Sequence, residues 1–250
     1  MIQQNKIALV TGASRNIGRA IALALARRGY SVACFGRDAV ELEETASMVR
    51  ALGTEASVFI GDAKSSASLQ KFAAHAVERF GGIDAVVNNA GMVMDCPAEK
   101  VTPEAFAELL QVNLVSQFAL AQAAHASMVA RGGGVIINIG SLAGAIAFPR
   151  TPAYCASKAG VEGLTRSLAQ DWARHNIRVL CVAPGYVESG VSKDALADAA
   201  TRDWIIKRIP LRRVAKSEEI GEFVAFLASD AASFCTGETY YVDGGQRSAI

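Results

Sequence analysis

A chain of 250 residues with 51% hydrophobic and 20% charged residues can bury enough apolar side chains to form an ordered globular core. Its formal net charge of +1 gives no basic surface of the kind that binds nucleic acid or an anionic membrane. No apolar run approaches the roughly 20 residues of a membrane-spanning helix, and the N-terminal segment lacks the apolar region of a signal peptide. We therefore expect a cytoplasmic protein with neither nucleic-acid nor membrane partners.

Five cysteines are spread along the chain without the CxxC spacing of a metal-binding or redox pair. They are Cys34, Cys96, Cys155, Cys181 and Cys235. An odd and scattered set predicts reduced thiols rather than a disulfide framework, and we expect no metal site.

Apolar runs and amphipathic segments alternate along the whole chain. The predicted strands are Lys6–Val10, Ser31–Phe35, Ala56–Ile60, Asp84–Val87, Gly134–Ile139, Ile177–Val182 and Glu238–Val242. The predicted helices are Arg19–Arg28, Asp38–Leu52, Ser65–Phe80, Pro103–Arg131, Pro152–Arg174 and Ser217–Leu227. This alternation predicts an α/β fold, with one domain over residues 1–250 and a doubly wound parallel sheet that has helices on both faces. Residues 190–209 are charged and amphipathic and predict one or two short mobile helices over a cleft, so we expect a lid region over about residues 186–210.

A glycine-rich turn follows the first predicted strand. Residues 11–18 read TGASRNIG and lie between that strand and a helix. Glycines let the backbone approach a ligand, and the N–H groups and dipole of a helix start favour an anion, so the turn predicts a phosphate or pyrophosphate site. The candidate cofactor contacts within it are Gly12, Ser14, Arg15, Asn16, Ile17 and Gly18.

The end of the second predicted strand bears on the choice of cofactor. Folds that prefer NAD place an acidic residue there, about 20 residues beyond the glycine-rich turn, to bind the ribose 2′-hydroxyl. This chain has Gly36 followed by Arg37, and Arg15 lies in the turn. A small residue leaves room for a 2′-phosphate and a guanidinium pairs with it, which favours NADPH over NADH. The alternative is that both arginines are solvated surface residues.

Short side chains occupy the carboxyl ends of other predicted strands, where ligands of open α/β sheets bind. They are Asp62, Ala63, Asn89, Ala90, Gly91 and Ser141. Such residues are also ordinary in turns. Asn113 lies in the middle of the helix predicted over 103–131, where asparagine is not preferred, so it is either functional or a polar group tolerated on a surface or interface.

Tyr154 and Lys158 are four positions apart in the helix predicted over 152–174, so their side chains share one face. A phenol ordinarily titrates near pH 10, and we expect the neighbouring ammonium to lower the pKa of Tyr154 toward the range that acid–base catalysis needs. The alternative is a partly buried tyrosine beside a solvated lysine.

Together these segments resemble the short-chain dehydrogenase/reductase family over essentially the full length of the chain. The matching parts are TGASRNIG at 11–18, NNAG at 88–91, Asn113, Ser141, Tyr154 with Lys158, Pro184-Gly185, and VDGG at 242–245. One departure is Asn16, which replaces the middle glycine of the family's nucleotide loop. Asparagine adopts positive φ more readily than other non-glycine residues, so we expect the loop conformation to survive.

The resemblance implies a catalytic tetrad of Asn113, Ser141, Tyr154 and Lys158. In it, Tyr154 exchanges a proton with the substrate oxygen and Ser141 polarises that oxygen. Lys158 lowers the tyrosine pKa and binds the nicotinamide ribose, and Asn113 holds a water that links Lys158 to solvent. The resemblance also implies about seven strands, a homotetramer, and cofactor contacts at Pro184, Gly185, Val187 and Ser189.

The activity predicted from these features is NADPH-dependent reduction of a ketone to a secondary alcohol, similar to that of the 3-oxoacyl-[acyl-carrier-protein] reductases. The substrate could be carried on acyl carrier protein or CoA, with Arg131 and Arg174 either as a basic landing site or as solvated helix ends. The predicted pocket residues Met94, Leu142, Phe148 and Tyr186 are mostly apolar. The same tetrad would serve a dehydrogenase of a sugar, polyol or other secondary alcohol. An NADPH-binding sensor without turnover is the remote alternative.

Overall fold

The computed structural model describes residues 6–190 and 196–249, and strands and helices alternate in it as predicted. The strands are β1 (Lys6–Thr11), β2 (Tyr30–Gly36), β3 (Ala56–Ile60), β4 (Ala85–Asn88), β5 (Gly134–Ile139), β6 (Ile177–Pro184) and β7 (Thr239–Val242). The helices are α1 (Asn16–Arg27), α2 (Ala39–Ala51), α3 (Ser66–Phe80), α4 (Pro103–Leu110), α5 (Ser116–Ala130), α6 (Pro152–Trp172), α7 (Ala199–Lys207) and α8 (Ser217–Ala228). None of the helices in the described residues is long and apolar enough to cross a membrane.

The seven strands form one parallel sheet in the order β3-β2-β1-β4-β5-β6-β7. The chain moves outward from β1 to β3 and then crosses back, so that β4 pairs with the other edge of β1. This reversal leaves a crevice at the carboxyl ends of β1 and β4, which is where open α/β sheets bind their ligands. The fold is a single Rossmann-like domain, and the predicted fold class is confirmed.

Two hydrophobic cores lie on opposite faces of the sheet, because successive side chains of a strand point to opposite sides. In β1, Ala8 and Val10 belong to one core, whereas Ile7 and Leu9 belong to the other. Helices α1 and α8 pack on the first face, and α3 and α5 pack on the second. The two layers hold the strand ends, and the loops that leave them, in fixed positions.

The helix predicted over 103–131 is continuous but not uniform. It begins as α4 after Thr102, whose Oγ1 accepts a hydrogen bond from the backbone N of Ala105 at 3.2 Å. Residues Gln111–Val115 then form a turn of π-helix before α5 starts. Turns of this kind are rare and occur frequently at functional sites.

The lid predicted over residues 186–210 is described in part, since residues 191–195 lie outside the described residues. Within it, α7 follows Asp198, whose carboxylate accepts a hydrogen bond from the backbone N of Thr201 at 2.8 Å. Ile205 of α7 is buried, so one face of this helix packs on the domain.

A close contact between α8 and α1 gives a test of the packing. A Cβ atom added to Gly221 would lie 2.7 Å from the carbonyl carbon and oxygen of Ala20. We predict that Gly221→Ala lowers the free energy of unfolding by about 1–3 kcal/mol, because the opposing atoms belong to a helix backbone that cannot yield freely. Urea denaturation followed by circular dichroism measures the change. Glu218→Gln, on the exposed side of the same helix, is the control and should stay within about 0.5 kcal/mol of the wild type. An unchanged midpoint for Gly221→Ala would contradict this packing.

Candidate active site

The glycine-rich loop after β1 is tied to the loop after β4 by hydrogen bonds. Thr11 Oγ1 accepts hydrogen bonds from the backbone N of Asn89 at 2.9 Å and of Ala90 at 3.0 Å. In return, Asn89 Nδ2 donates to the carbonyl oxygens of Thr11 at 2.9 Å and Gly12 at 3.1 Å. The predicted contacts Gly12, Asn89 and Ala90 are thus brought together in the crevice between β1 and β4. Gly91 follows directly.

The start of α1 is arranged to receive an anion. The helix begins at Asn16. The side chain of its N-cap residue, Arg15, makes no capping hydrogen bond to the helix. The first backbone N–H groups of a helix have no partner within the helix, and together with the helix dipole they favour a phosphate. Gly18 is buried so close to the loop that an added Cβ would lie 1.9 Å from the Gly12 oxygen.

Asn16 has a φ of 52°, which is the left-handed conformation that the sequence led us to expect at this departure from glycine. The prediction about the loop backbone is therefore confirmed. Its neighbour Ile17 is half-buried, and the predicted contact Ser14 faces Gly36, where an added Cβ would lie 2.9 Å from Ser14 Oγ.

The carboxyl end of β2 carries the residues predicted to select the cofactor. Gly36 is buried and Arg37 is exposed at the start of the following loop. Arg15 is also exposed, and its Nη1 lies 3.5 Å from Oε1 of Glu41. Two exposed arginines thus lie in the glycine-rich loop and in the loop that follows β2.

After β3, Asp62 is exposed and its carboxylate accepts a hydrogen bond from the backbone N of Lys64 at 2.9 Å. Ala63 is buried in the core on the α3 side of the sheet. The side chain of Asp62 is thus partly engaged in shaping its own turn.

Asn113 lies in the π-helical turn and is completely buried, so the alternative of a surface polar group is wrong. Its Oδ1 accepts from the backbone N of Met92 at 2.8 Å, and its Nδ2 donates to the Met92 oxygen at 2.8 Å. Nδ2 also donates to Ser157 Oγ at 3.1 Å. Asn113 therefore joins the loop after β4 to α6, the helix that carries Tyr154 and Lys158.

Lys158 is buried, with 4% of its surface exposed, and its Nζ donates a hydrogen bond to the carbonyl oxygen of Ile139 at 2.7 Å. The Nζ atom also lies 5.7 Å from the centroid of the Tyr154 ring. Burial lowers the pKa of Lys158 from 10.5 to about 8, because the charged form loses its hydration. The alternative of a solvated lysine is wrong.

Tyr154 is half-buried and interacts with the side chain of Ser141. Burial raises the pKa of Tyr154 above its ordinary 10.0, while a hydrogen bond to Ser141 opposes that rise. The expectation that the pKa of Tyr154 would be lowered toward the range of acid–base catalysis is wrong for this arrangement, because burial disfavours the phenolate and raises the pKa. At neutral pH, Tyr154 keeps its proton.

Ser141 is placed by the end of β5. Its Oγ accepts a hydrogen bond from the backbone N of Ala143 at 3.1 Å, at the start of a short 3₁₀ helix over Leu142–Gly144. The hydroxyl proton remains for the oxygen atom of a ligand or for Tyr154. The four predicted tetrad residues thus converge at the carboxyl ends of β4 and β5.

A buried polar network below the site was not predicted from the sequence. Asn88 Nδ2 donates to Asn138 Oδ1 at 2.9 Å, and Asn138 Nδ2 donates to Thr165 Oγ1 at 3.0 Å. It joins β4 and β5 to α6, the helix that carries Tyr154 and Lys158. An asparagine inside an apolar strand such as GVIINI was the signal that could have identified Asn138.

The predicted substrate pocket is formed in part. The rings of Phe148 and Tyr186 are 6.2 Å apart and nearly perpendicular, and Met94 is half-buried. Leu142 is 2% exposed, so it supports the wall of the pocket instead of presenting its side chain to a ligand. Asp95 and Arg150 form an ion pair that joins the loop after β4 to the segment before α6.

The segment after β6 places the remaining predicted cofactor contacts. Pro184 is buried at the end of β6, and Gly185 approaches Asp243 so closely that an added Cβ would lie 2.9 Å from its Cα. Val187 is buried, and Ser189 Oγ lies 2.7 Å from Ser217 Oγ at the start of α8. The Ser189 hydroxyl is thus held at the edge of the crevice.

Comparison with known proteins gives matches over nearly the whole chain. The family model described as "Enoyl-(Acyl carrier protein) reductase" matches residues 12–247. The 3-oxoacyl-[acyl-carrier-protein] reductase FabG of Staphylococcus epidermidis is 37% identical over 242 residues, covering 96% of this chain and 98% of that protein. The gluconate 5-dehydrogenase of Gluconobacter oxydans is 38% identical over 239 residues, covering 95% of this chain and 93% of that protein.

A solved structure is equally similar. The gluconate 5-dehydrogenase from Burkholderia cenocepacia J2315, in complex with NADP and tartrate, superposes with a TM-score of 0.93 at 36% identity, covering 99% of this chain and 97% of that one. The chain belongs to the short-chain dehydrogenase/reductase family. It is accordingly an oxidoreductase that uses a nicotinamide cofactor and either reduces a ketone or oxidises an alcohol.

The buried Lys158 gives a prediction about stability and pH. In the unfolded chain this lysine keeps its proton up to about pH 10.5, whereas in the folded protein it loses it near pH 8. Between these values the unfolded state binds more protons, so the contribution of Lys158 to stability improves as the pH rises. The shift from 10.5 to about 8 corresponds to about 3 kcal/mol.

We therefore predict that Lys158→Met gains stability relative to the wild type at pH 7, and that most of this difference disappears by pH 10. Urea denaturation at the two pH values measures it. Lys100→Met, which removes an exposed lysine, serves as the control and should show no such dependence on pH. A difference between Lys158→Met and the wild type that is constant with pH would contradict the lowered pKa.

Proposed function

We propose that the protein is an NADPH-dependent reductase that converts a ketone to a secondary alcohol. The observation that carries the proposal is the meeting of Tyr154 with Ser141 above the buried Lys158. Because burial raises the pKa of Tyr154, the phenol is protonated at neutral pH, which is the state needed to donate a proton to a carbonyl oxygen. Tyr154 can therefore act as the proton donor in the reduction at neutral pH.

Each residue of the tetrad has a defined task in this proposal. NADPH, when bound, supplies the hydride. As negative charge develops on the substrate oxygen, Ser141 donates a hydrogen bond to it and Tyr154 transfers its proton. Lys158 provides positive charge below the phenol ring, and Asn113 holds the loop after β4 against α6.

The choice of NADPH is supported by the end of β2. Buried Gly36 stands where a preference for NAD requires an acidic residue, and the exposed Arg37 and Arg15 offer positive charge that could pair with a 2′-phosphate. The NADP in the related gluconate 5-dehydrogenase structure agrees with this choice. NADH is the less favoured cofactor.

As substrate we propose a 3-oxoacyl thioester or a similar small carbonyl compound, carried on acyl carrier protein or CoA. The 37% identity to the FabG reductase supports this choice, as does the aromatic pair Phe148–Tyr186 at the pocket. Of the two arginines considered for the carrier, Arg131 pairs with Asp84 at 2.8 Å and its side chain is only 16% exposed. The prediction that Arg131 contributes to a landing site for the carrier is therefore wrong. Of the two arginines, only Arg174 is exposed.

A dehydrogenase of a sugar acid, polyol or other secondary alcohol is the second candidate. The two gluconate 5-dehydrogenases are as similar to this chain as the FabG reductase is. The Arg150–Asp95 ion pair beside the pocket places a guanidinium where a polar substrate could use it. The cytoplasmic location and the homotetramer stay predictions from the sequence.

Oxidation of NADPH and NADH, followed at 340 nm, tests the proposal across acetoacetyl thioesters, small ketones, diketones and keto-sugars. We predict turnover with NADPH and a β-keto thioester. Tyr154→Phe should lose most of this rate, by about 10²-fold or more, because the proton donor is gone. It should still bind NADPH, as measured by cofactor fluorescence, since the nucleotide loop is untouched.

Cys155→Ser is the matched control, because it changes the next residue on α6 and leaves the phenol in place. Turnover restricted to keto-sugars would replace the acyl substrate with the second candidate. A Tyr154→Phe variant with undiminished function would favour the non-catalytic NADPH sensor.

A further inference from the structure

We propose that Glu41 is a specificity-determining residue, which weakens the discrimination in favour of NADPH by holding Arg15 in an ion pair. This inference rests on the proposed use of NADPH. Nη1 of Arg15 lies 3.5 Å from Oε1 of Glu41. Arg15 belongs to the glycine-rich loop, and Glu41 lies in the first turn of α2, four residues after Arg37.

The backbone of Glu41 is fixed in place by hydrogen bonds on both sides. Its N donates to Oδ1 of Asp38 at 3.0 Å. Its carbonyl oxygen accepts from Nη2 of Arg19 at 3.2 Å and from Oγ1 of Thr45 at 3.1 Å. The side chain of Glu41 is 32% exposed, and it extends from a helix start whose backbone is held by these bonds.

The loop that carries Arg15 is bound to the same helix. Arg19 donates to the carbonyl oxygen of Ser14 from Nε at 3.0 Å and from Nη2 at 2.6 Å. Its Nε also donates to Oγ1 of Thr45, a completely buried residue of α2, at 2.9 Å. Because Ser14 precedes Arg15, these bonds hold the backbone beside Arg15 against α2, and the Arg15 side chain, which is 70% exposed, reaches Glu41 from there.

A bound 2′-phosphate would compete with Glu41 for Arg15. It brings close to two negative charges to the outer end of the crevice, where Arg37 and Arg15 stand. The Glu41 carboxylate repels that phosphate. Its ion pair with Arg15 also weakens the attraction between Arg15 and the phosphate. A ribose 2′-hydroxyl carries no charge, so binding of NADH meets neither penalty. Glu41 therefore weakens the binding of NADPH and leaves the binding of NADH nearly unchanged.

The test compares Glu41→Gln with Glu44→Gln. Glu44 lies on the same helix and pairs with Arg19 at 2.9 Å, so the control removes an equal charge from the same element. The dissociation constants of NADPH and NADH are measured by cofactor fluorescence titration without substrate, at low and high salt. Circular dichroism confirms that both variants are folded.

For Glu41→Gln we expect the NADPH dissociation constant to fall about three- to tenfold, with that of NADH changed less than about twofold. Glu44→Gln should leave the ratio of the two constants near that of the wild type. The gain should shrink at high salt, and it should be smaller in an Arg15→Gln background, where only the direct repulsion of the phosphate by Glu41 remains.

Equal effects of the two substitutions, or a parallel change for NADPH and NADH, would overturn the inference. If the wild type prefers NADPH but Glu41→Gln has the same ratio of NADPH to NADH dissociation constants as the wild type, the inference is wrong and the proposed use of NADPH stands. A wild type that prefers NADH, or binds neither dinucleotide, overturns the proposed use of NADPH and this inference with it.

Discussion

The burial of the Lys158 ammonium is the constraint on which the site depends. A charge removed from water costs several kcal/mol unless hydrogen bonds offset the loss. The carbonyl oxygen of Ile139 offsets part of it, and the lowered pKa of Lys158 shows that the remainder is not recovered. The packing of α6 against the sheet, with Val161 and Leu168 buried, holds the lysine in this unfavourable place. The buried cation below Tyr154 thus lowers the stability of the folded protein.

The parallel sheet explains why the other groups gather around that cation. The strand that supplies the Ile139 carbonyl ends two residues before Ser141, and the helix that buries Lys158 also carries Tyr154. Asn113 closes the arrangement from the side, because its amide binds Ser157 of α6 and both backbone groups of Met92. On the other side of the crevice, β1, β2 and α2 form the nucleotide end, where Arg19 joins the loop to the helix. One half of the sheet carries the reacting groups, and the other half carries the glycine-rich loop and the predicted cofactor-selecting residues after β2.

Much of this was predictable because local patterns dictate it. Alternating apolar runs predicted the strands, and the preference of asparagine for positive φ predicted the loop backbone at Asn16. What the sequence could not show depends on burial and long-range pairing. The π-helical turn around Asn113 has no local signature. The pKa of Tyr154 depends on how far its side chain is buried once α6 has packed. The pairing of Arg131 with Asp84 joins residues that are distant in the chain. The bonds from Arg19 to α2 likewise exist only once β2 and α2 have folded back beside α1.

The pH dependence of kcat/KM for NADPH-dependent reduction, measured from about pH 6 to 10 on the best carbonyl substrate, tests most directly the claim that protonated Tyr154 acts above a charged Lys158. The account predicts a plateau around neutral pH. Above about pH 8 the value should fall, as Lys158 loses its charge and Tyr154 then approaches the loss of its proton. A kcat/KM that rises between pH 7 and 9 would mean that the reaction needs a deprotonated group, and it would contradict the assignment of Tyr154 as the proton donor.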